Sequence, residues 1–387
     1  MRVGQYITLF PSDDLTGDER IYGSTRAAYE LTLNLAKRNH ELSVFSTSDT
    51  LNDNIETRKN LNIYRYGSQL KLFSTHFSYS IFYKPQRCHL DIVHVHFDIP
   101  PVPFAGLKLS TETKTPLVVT YHGDWDDSYG SFFRKTGVRF FNRFFVDKLL
   151  TQADVIISPS ENYIKESNFL VKYSDKTVVI PNGVNIEQFK TVISKEECRK
   201  LLHLPLNCKI ILFLGALNLR KGPDILLNAM VNVIKEYPTS KLLYVGDGSF
   251  KSELFTMTKK LGLEDSVIFT GYIAENLKPL YYKASNLFVV PSTISTEVFP
   301  LVILEAMASN IPIIVSDLLT FKSIVDDGQN GLIARKSDPN DLSIKILQLL
   351  DYPNLVKKLC QNGLEYAEKY SWENVAKETE KVYKNYV

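Results

Sequence analysis

Two acidic residues flank the start of a predicted helix in the second half of the chain. Glu297 lies in a polar loop after an apolar run, and Glu305 lies on the helix, with seven residues between them. Pro300 opens this helix, and a helix start favours anions because its first N–H groups have no partner within the helix. The pattern is typical of a ligand site at a strand–loop–helix junction. It is also typical of an ordinary crossover with one solvated and one capping acid.

A pair of cations stands at a second strand-to-helix junction. Arg220 and Lys221 follow a buried strand, and Pro223 is expected at the first position of the next helix. A cation beside unpaired N–H groups would bind a pyrophosphate group and stabilise it without a metal ion. A solvated pair of cations in a turn is the alternative.

Histidines occur at the ends of two further buried strands. His94 and His96 come at the end of one strand, and His122 comes at the end of the next. Open α/β sheets place ligand sites at the carboxyl ends of their strands. His94 and His96 have the spacing of metal ligands but no obvious third ligand, so we interpret them as structural residues or as residues that face a ligand other than a metal. Asp124, just after His122, is a weaker candidate for contact with a ligand.

The elements that must position these residues alternate between strands and helices, which predicts an α/β fold. The first strand covers residues 3–10, and a helix follows from Gly23 and Ser24. A glycine in the loop between a strand and a helix lets the backbone approach a phosphate closely. A simple turn is an equally good explanation of Gly23. Gly246 and Gly248 lie in a similar loop after a later strand.

Length and composition limit the class of protein. A chain of 387 residues, 44% hydrophobic, has room for two domains of ordinary size. A net charge of +2 argues against a dedicated nucleic-acid binder, and the four scattered cysteines suggest neither a disulfide framework nor a zinc site. The N-terminus shows no secretory signal and no apolar span, so we expect a cytoplasmic protein that contacts at most the inner face of a membrane.

Two aromatic segments leave alternatives open. Residues 131–150 mix phenylalanine with arginine and lysine, so this helix would either lie in a membrane interface or pack on the core with its cations at the edge. We favour packing on the core. Residues 70–83 would line a binding groove or belong to the core.

The acidic pair and the residues around it match a known sequence motif. Glu297 and Glu305, with Phe-Pro-Leu-Val between them and Ala-Met-Ala after Glu305, resemble the donor-site motif of the family 4 glycosyltransferases. The resemblance covers nearly the whole chain and is strongest at residues 178–189 and 287–312. It implies the GT-B architecture, in which two Rossmann-like domains face each other across a cleft.

The resemblance also assigns roles. It implies that Glu297 and His122 contact the donor sugar, that Glu305 holds the nucleotide ribose, and that Lys221 and Arg220 stabilise the leaving diphosphate. The other residues implied to bind the donor are Gly23, Gly246, Gly248, Tyr272, Phe299, Leu301 and Val302. Asp124 is a weaker candidate on the acceptor side, where His94 and His96 also belong if they are not structural. The chain departs from the family pattern where Pro300 replaces a glycine and where Ala216 replaces an arginine.

The implied activity is transfer of a sugar, with retained anomeric configuration, from a UDP- or GDP-sugar to a glycan, lipid-linked or small-molecule acceptor. No cofactor and no catalytic metal are expected. The implied domains are an acceptor-binding domain (1–183, joined by a final helix at 370–387) and a nucleotide-sugar-binding domain (195–369), with a linker at about 184–194. A nucleotide-sugar epimerase on a related fold and an inactive accessory homologue are the alternatives.

Overall fold

The computed structural model describes residues 1–11, 23–72, 75–98, 100–125, 132–294 and 298–387. The chain divides into two compact units. Among the described residues, the first unit runs from Met1 to Asn182 and takes in Trp372 to Val387 as well, while the second unit runs from Gly183 to Ser371.

The strands are short, as is usual for α/β proteins. In chain order they are β1 Arg2–Tyr6, β2 Glu41–Thr47, β3 Asn54–Arg58, β4 Leu61–Tyr66, β5 Leu70–Leu72, β6 Thr75–Phe77, β7 Ile92–Phe97, β8 Leu117–Tyr121, β9 Val155–Ser158, β10 Thr177–Val179, β11 Ile210–Leu214, β12 Lys241–Val245, β13 Val267–Gly271, β14 Leu287–Val290, β15 Ile313–Ser316 and β16 Leu332–Ala334.

Helices connect most of these strands. In chain order they are α1 Gly23–Ala36, α2 Val102–Thr113, α3 Phe132–Phe141, α4 Asp147–Gln152, α5 Glu161–Glu166, α6 Ile186–Phe189, α7 Lys195–Leu201, α8 Pro223–Glu236, α9 Lys251–Lys260, α10 Lys278–Ala284, α11 Leu301–Ala308, α12 Leu319–Lys322, α13 Pro339–Asp351, α14 Pro353–Lys369 and α15 Trp372–Lys384. A π-helical turn, Asn142–Val146, joins α3 to α4. Within the described ranges, no helix is long and apolar enough to span a bilayer.

The sheet of the first unit has the described strands in the order β10-β9-β8-β7-β1-β2-β4-β3. Its neighbouring strands are parallel except β3, which runs antiparallel to β4 at the edge. Among the described strands, the order reverses between β1 and β7. Such a reversal leaves a crevice at the carboxyl ends of the strands.

The second unit contains a wholly parallel sheet with the described order β13-β12-β11-β14-β15-β16. This is the strand order of a Rossmann fold, with the reversal between β11 and β14. Successive residues of β11 alternate between two apolar clusters: Ile210 and Leu212 belong to one, and Ile211 and Phe213 belong to the other. Helices therefore cover both faces, which explains the unbroken apolar sequence of this strand.

Two element boundaries and the expected linker differ from the sequence-based expectation. β1 ends at Tyr6 and not at Phe10. Pro300 is extended and precedes α11, which begins one residue later at Leu301. The segment expected as a linker contains α6, whose Phe189 is buried in the core of the second unit.

Candidate functional site

The loops after β11 and β14 meet at the reversal point of the second sheet. The backbone N–H of Thr293, after β14, donates to the carbonyl of Arg220 at 2.8 Å. Gly222 has a φ of 63°, and a β-carbon there would lie 2.1 Å from the carbonyl oxygen of Pro291. Only glycine combines this left-handed backbone with so close an approach. These contacts hold the turn that carries Arg220 and Lys221 against the residues just after β14, from which the chain continues to the acidic motif.

Lys221 ends a 3-10 turn, Leu219–Lys221, that leads directly into α8. The side chain of Asn218 accepts a hydrogen bond from the Lys221 N–H at 3.2 Å, and α8 begins at Pro223 as predicted. Burial, followed by the neighbouring charge of Arg220, lowers the pKa of Lys221 to about 7. A bound anion would favour the charged amine, so this position is electrostatically suited to a phosphate group.

The loop after β12 packs against the loop after β11 through glycines. A β-carbon on Gly246 would lie 2.0 Å from the Gly215 carbonyl oxygen, and one on Gly248 would lie 2.2 Å from that of Leu217. Both glycines are therefore required for the packing of the unit itself. Ala216, which stands where the family pattern has arginine, is exposed between these contacts.

The start of α11 carries the central part of the motif. Leu301 and Val302 are its first two residues, so their N–H groups precede the intrahelical ladder. Phe299 is buried and its side chain belongs to the apolar core of the unit. Glu297 lies outside the described residues.

Glu305 is buried on α11 and has two partners from α10. The Tyr282 hydroxyl donates to Oε2 at 3.1 Å, and Nζ of Lys278 lies 3.4 Å from Oε1. Lys278 also pairs with Glu275 at 2.8 Å. Sequence reasoning missed Lys278 and Tyr282, although their spacing of four residues places both on one face of a helix.

Tyr272 directly follows β13 and is partly buried. β13 is the strand next to β12, so Tyr272 and the Gly246–Gly248 loop stand at the same carboxyl edge of the sheet. In the second unit, the described residues to which the resemblance assigns donor binding therefore follow the carboxyl ends of β11, β12, β13 and β14, while Glu297 is outside the described residues.

In the first unit, the three histidines come together. His94 and His96 are two residues apart on β7 and stack with ring centroids 4.5 Å apart. His122 follows β8, and its ring stacks on His96 at 5.4 Å. Burial lowers the pKa of His94 to about 3 and that of His122 to about 4, and it holds the pKa of His96 well below its usual value. All three imidazoles are therefore neutral at physiological pH.

The interpretation of His94 and His96 as structural residues rests on their partners. Both nitrogens of each ring lie within hydrogen-bond distance of a protein group. Among the described residues, no group of three or more histidine, cysteine, aspartate or glutamate side chains is arranged to hold a metal ion.

Two weaker candidates also lie in the first unit. Gly23 begins α1 and is exposed, and no described atom lies within 4 Å of where its β-carbon would stand. Asp124 has a carboxylate occupied by protein donors, namely the Tyr121 and Ser167 hydroxyls at 2.9 and 2.6 Å and the Asn168 N–H at 3.0 Å. These bonds give Asp124 a structural role in the loop after β8.

The stretch of phenylalanines and basic residues expected as one helix at 131–150 has a buried face and an exposed face. Val138, Phe141 and Val146 are buried. Five other phenylalanines of the stretch are exposed by between 36% and 79% of their surface: Phe132, Phe133, Phe140, Phe144 and Phe145. Arg139, Arg143 and Lys148 are exposed on the same stretch. Packing alone therefore accounts for one face of this helix only. In residues 70–83, Ile81 is buried while Tyr79 and Tyr83 are exposed.

Comparison with known families identifies two matching domains. Residues 21–188 match the model of "Glycosyltransferase Family 4", and residues 194–366 match that of "Glycosyl transferases group 1". An alpha-monoglucosyldiacylglycerol synthase of Streptococcus pneumoniae is 29% identical over 90% of this chain and 78% of its own length. An uncharacterized glycosyltransferase of Methanocaldococcus jannaschii is 31% identical over 76% of this chain and 75% of its own. These names do not favour an epimerase or an accessory subunit.

Solved structures agree in fold. Sucrose-phosphate synthase from Thermosynechococcus elongatus has a TM-score of 0.78 at 23% identity, covering 99% of this chain and 98% of its own. HepE of Anabaena, solved in complex with UDP and glucose, has a TM-score of 0.75 at 18% identity and covers 100% of both chains. These likenesses identify the fold as that of GT-B glycosyltransferases.

Proposed function

The chain belongs to the family 4 glycosyltransferases, and we propose that it transfers a sugar from a nucleoside diphosphate sugar with retention of anomeric configuration. The observation that carries this proposal is the convergence of Lys221, the starts of α8 and α11, and Glu305 at the reversal point of one parallel sheet. The structure of HepE with UDP and glucose supports a nucleotide donor for a protein of this fold.

In this proposal the second unit holds the donor. The diphosphate lies between Lys221 and the backbone N–H groups of Leu301 and Val302, where positive charge stabilises it as it leaves. Arg220 adds charge in place of the arginine that Ala216 replaces. Since Lys221 and the helix starts supply the charge that a leaving diphosphate requires, the proposal includes no metal ion and no cofactor.

The nucleoside lies along the same sheet edge. Glu305 accepts hydrogen bonds from the ribose hydroxyls, chiefly through Oε1, because among the described residues Oε1 has only Lys278 as a partner whereas Oε2 already accepts from Tyr282 and Lys278. Tyr272 and the backbone at Gly246 and Gly248 line the base and phosphate side.

We propose, as the family resemblance implies, that Glu297 and His122 contact the donor sugar and that Gly23 binds the donor. His122 acts as a neutral hydrogen-bonding group because burial lowers its pKa to about 4. A neutral imidazole orients a sugar hydroxyl without adding charge at the reaction centre. Asp124 acts through the loop that it anchors.

We further propose that the acceptor is presented at a lipid surface. The exposed phenylalanines of residues 132–145 would enter the membrane interface, and the exposed arginines would meet anionic head groups. The Streptococcus pneumoniae relative is named as the synthase of a glucosylated diacylglycerol, and this name supports a lipid acceptor.

The test is turnover with a panel of UDP- and GDP-sugars and a diacylglycerol acceptor, comparing wild type with Lys221→Ala. We expect loss of turnover by at least about 100-fold, as for removal of one preorganised charge at a leaving group. Lys235→Ala is the matched control, because Lys235 lies in the last turn of the same helix, α8. Turnover of Lys221→Ala within a few-fold of wild type would overturn the leaving-group assignment. Product formed without acceptor would overturn the transferase assignment.

A further inference from the structure

The polar side chains beneath His122 form one continuous chain of hydrogen bonds inside the first unit. Nε2 of His122 lies 3.1 Å from Nδ1 of His96, and Nε2 of His96 lies 2.8 Å from Oε1 of Gln5. Nε2 of Gln5 lies 3.1 Å from the hydroxyl of Tyr383 on the C-terminal helix α15. A side chain 261 residues after His122 is therefore connected to it through two intermediates.

The chain of hydrogen bonds continues beyond the Tyr383 hydroxyl. The Tyr383 hydroxyl lies 2.6 Å from Nδ1 of His94, and Nε2 of His94 lies 2.7 Å from Oγ1 of Thr120. Gln5, His94 and Tyr383 are fully buried. Buried polar groups must find partners within the protein, so the position of each proton constrains that of the next.

The direction of the chain follows from the chemistry of Gln5. An amide oxygen only accepts, so His96 must carry its proton on Nε2. His96 is neutral, since burial and the two neighbouring histidines hold its pKa well below the usual value. A neutral imidazole has one N–H, so Nδ1 of His96 accepts and His122 must donate from its own Nε2. This leaves Nδ1 of His122 with a lone pair.

The same orientation of the Gln5 amide sets the direction at the other end of this chain of hydrogen bonds. The Gln5 amide nitrogen only donates, so it donates to the oxygen of Tyr383. The Tyr383 O–H is then directed to Nδ1 of His94, which donates from Nε2 to Thr120. The orientation of the Gln5 amide therefore fixes the direction of every bond in this network.

We propose that Gln5 and Tyr383 are positioning residues that hold neutral His122 in its Nε2–H tautomer and so make its Nδ1 an acceptor for a ligand hydroxyl. The tautomer is a property of the free protein, whereas its use toward a ligand rests on the proposed function, which places the donor sugar at His122. A histidine that only accepts selects a hydroxyl over a fluoro, keto or ether group at that position. The C-terminal helix thus contributes to sugar specificity without touching the sugar.

The test is nitrogen-15 NMR of the imidazoles in the full-length, histidine-labelled protein without ligand, with His122→Gln used to assign the signal. In the wild type, His122 is expected to show a protonated Nε2 and an unprotonated Nδ1. Tyr383→Phe removes the acceptor that orients the Gln5 amide, and Gln5→Leu removes the amide, so each should give a mixture of His122 tautomers. Thermal melting checks that each variant is folded.

Tyr6→Phe is the matched control. Tyr6 neighbours Gln5 on β1, and its buried hydroxyl has no hydrogen-bond partner among the described residues. This variant removes a buried tyrosine hydroxyl outside the chain of bonds, so the His122 spectrum should be unchanged. With a nucleotide-sugar donor, we expect kcat/KM to fall about 10-fold in Tyr383→Phe, the effect of one misdirected hydrogen bond, and to stay within about 2-fold in Tyr6→Phe.

The outcomes separate this inference from the proposed function. A wild-type spectrum with the proton on Nδ1 of His122 would mean that the Gln5 amide and every bond of the chain are reversed, and it would overturn the proposal whatever the turnover. An unchanged His122 spectrum in both Tyr383→Phe and Gln5→Leu would do the same. A changed spectrum with unchanged kcat/KM would support the positioning role and overturn the placement of the sugar at His122.

Discussion

The α-carbon of Gly222 stands so close to the carbonyl oxygen of Pro291 that a β-carbon there would lie 2.1 Å from it. This contact fastens the loop that carries Lys221 to the end of β14, from which the acidic motif continues. The two parts of the proposed diphosphate site are therefore held in register by backbone contact.

We expect Gly222→Ala to lower both stability and donor affinity. The substitution meets a left-handed φ of 63° as well as the Pro291 carbonyl. These two effects together are expected to cost about 2–4 kcal/mol of unfolding free energy. Gly137→Ala is the control, because Gly137 is an exposed residue of α3 with open space around its β-carbon, and alanine there should stabilise the helix slightly. Equal melting temperatures for the two variants would contradict the role of this contact.

The low pKa of Lys221, about 7, predicts a pH dependence of donor binding. A diphosphate stabilises the charged amine and so raises this pKa on binding. Below about pH 7 the amine is charged in both states and affinity is constant, whereas above it binding must take up a proton. We therefore expect the affinity for a UDP- or GDP-sugar, measured by calorimetry, to fall as the pH rises from about 7 to about 9.

Lys221→Arg separates this effect from other titrations. Arginine stays charged throughout this range, so the variant should bind with little change over the same pH interval. A fall in affinity of the same size in Lys221→Arg would assign the pH dependence to a different group.

Glu305→Gln is expected to weaken nucleotide binding by about 10- to 100-fold, because the carboxylate would accept charge-assisted hydrogen bonds from the ribose. The sharper measurement compares UDP with 2′-deoxy-UDP. Wild type should prefer the ribonucleotide, and Glu305→Gln should lose most of that preference. Tyr282→Phe keeps the carboxylate and removes the 3.1 Å bond to it together with a 3.3 Å contact to the Val302 carbonyl, so its preference for the ribonucleotide should remain. Unchanged discrimination in Glu305→Gln would refute the ribose role.

The exposed phenylalanines predict binding to anionic membranes. We expect the double variant Phe133→Ser/Phe140→Ser to bind phosphatidylglycerol vesicles at least about 10-fold more weakly than wild type in sedimentation, since two large apolar side chains no longer enter the interface. Tyr352→Ser removes an aromatic side chain of similar exposure, 61%, from the second unit and should bind as wild type does. Equal binding by all three proteins would remove the argument for a lipid surface.

Many strands and helix starts of the second unit could be predicted from the sequence, because residues close together in the chain determine them. A short apolar run such as residues 210–213, which is buried on both faces, predicts a central strand of a parallel sheet. The start of α8 at Pro223 was predicted correctly for a similar reason, since proline fixes the backbone of a first helical turn.

The polar network of the first unit could not be predicted in the same way. The spacing of His94 and His96 places them on one face of a strand, but Gln5 and Tyr383 are 378 residues apart. Only the packing of α15 in the first unit brings them together. The exposed face of residues 132–145 could not be predicted either. Two sets of apolar residues lie on one helical stretch, and the sequence alone does not tell which set is buried.

The most direct test of the account is a crystal structure of the protein with its bound UDP- or GDP-sugar. We predict that the diphosphate lies within hydrogen-bond distance of Lys221 Nζ and of the Leu301 and Val302 N–H groups, with the ribose hydroxyls on Glu305. A nucleotide bound elsewhere, with Glu305 contacted only by Lys278 and Tyr282, would contradict it.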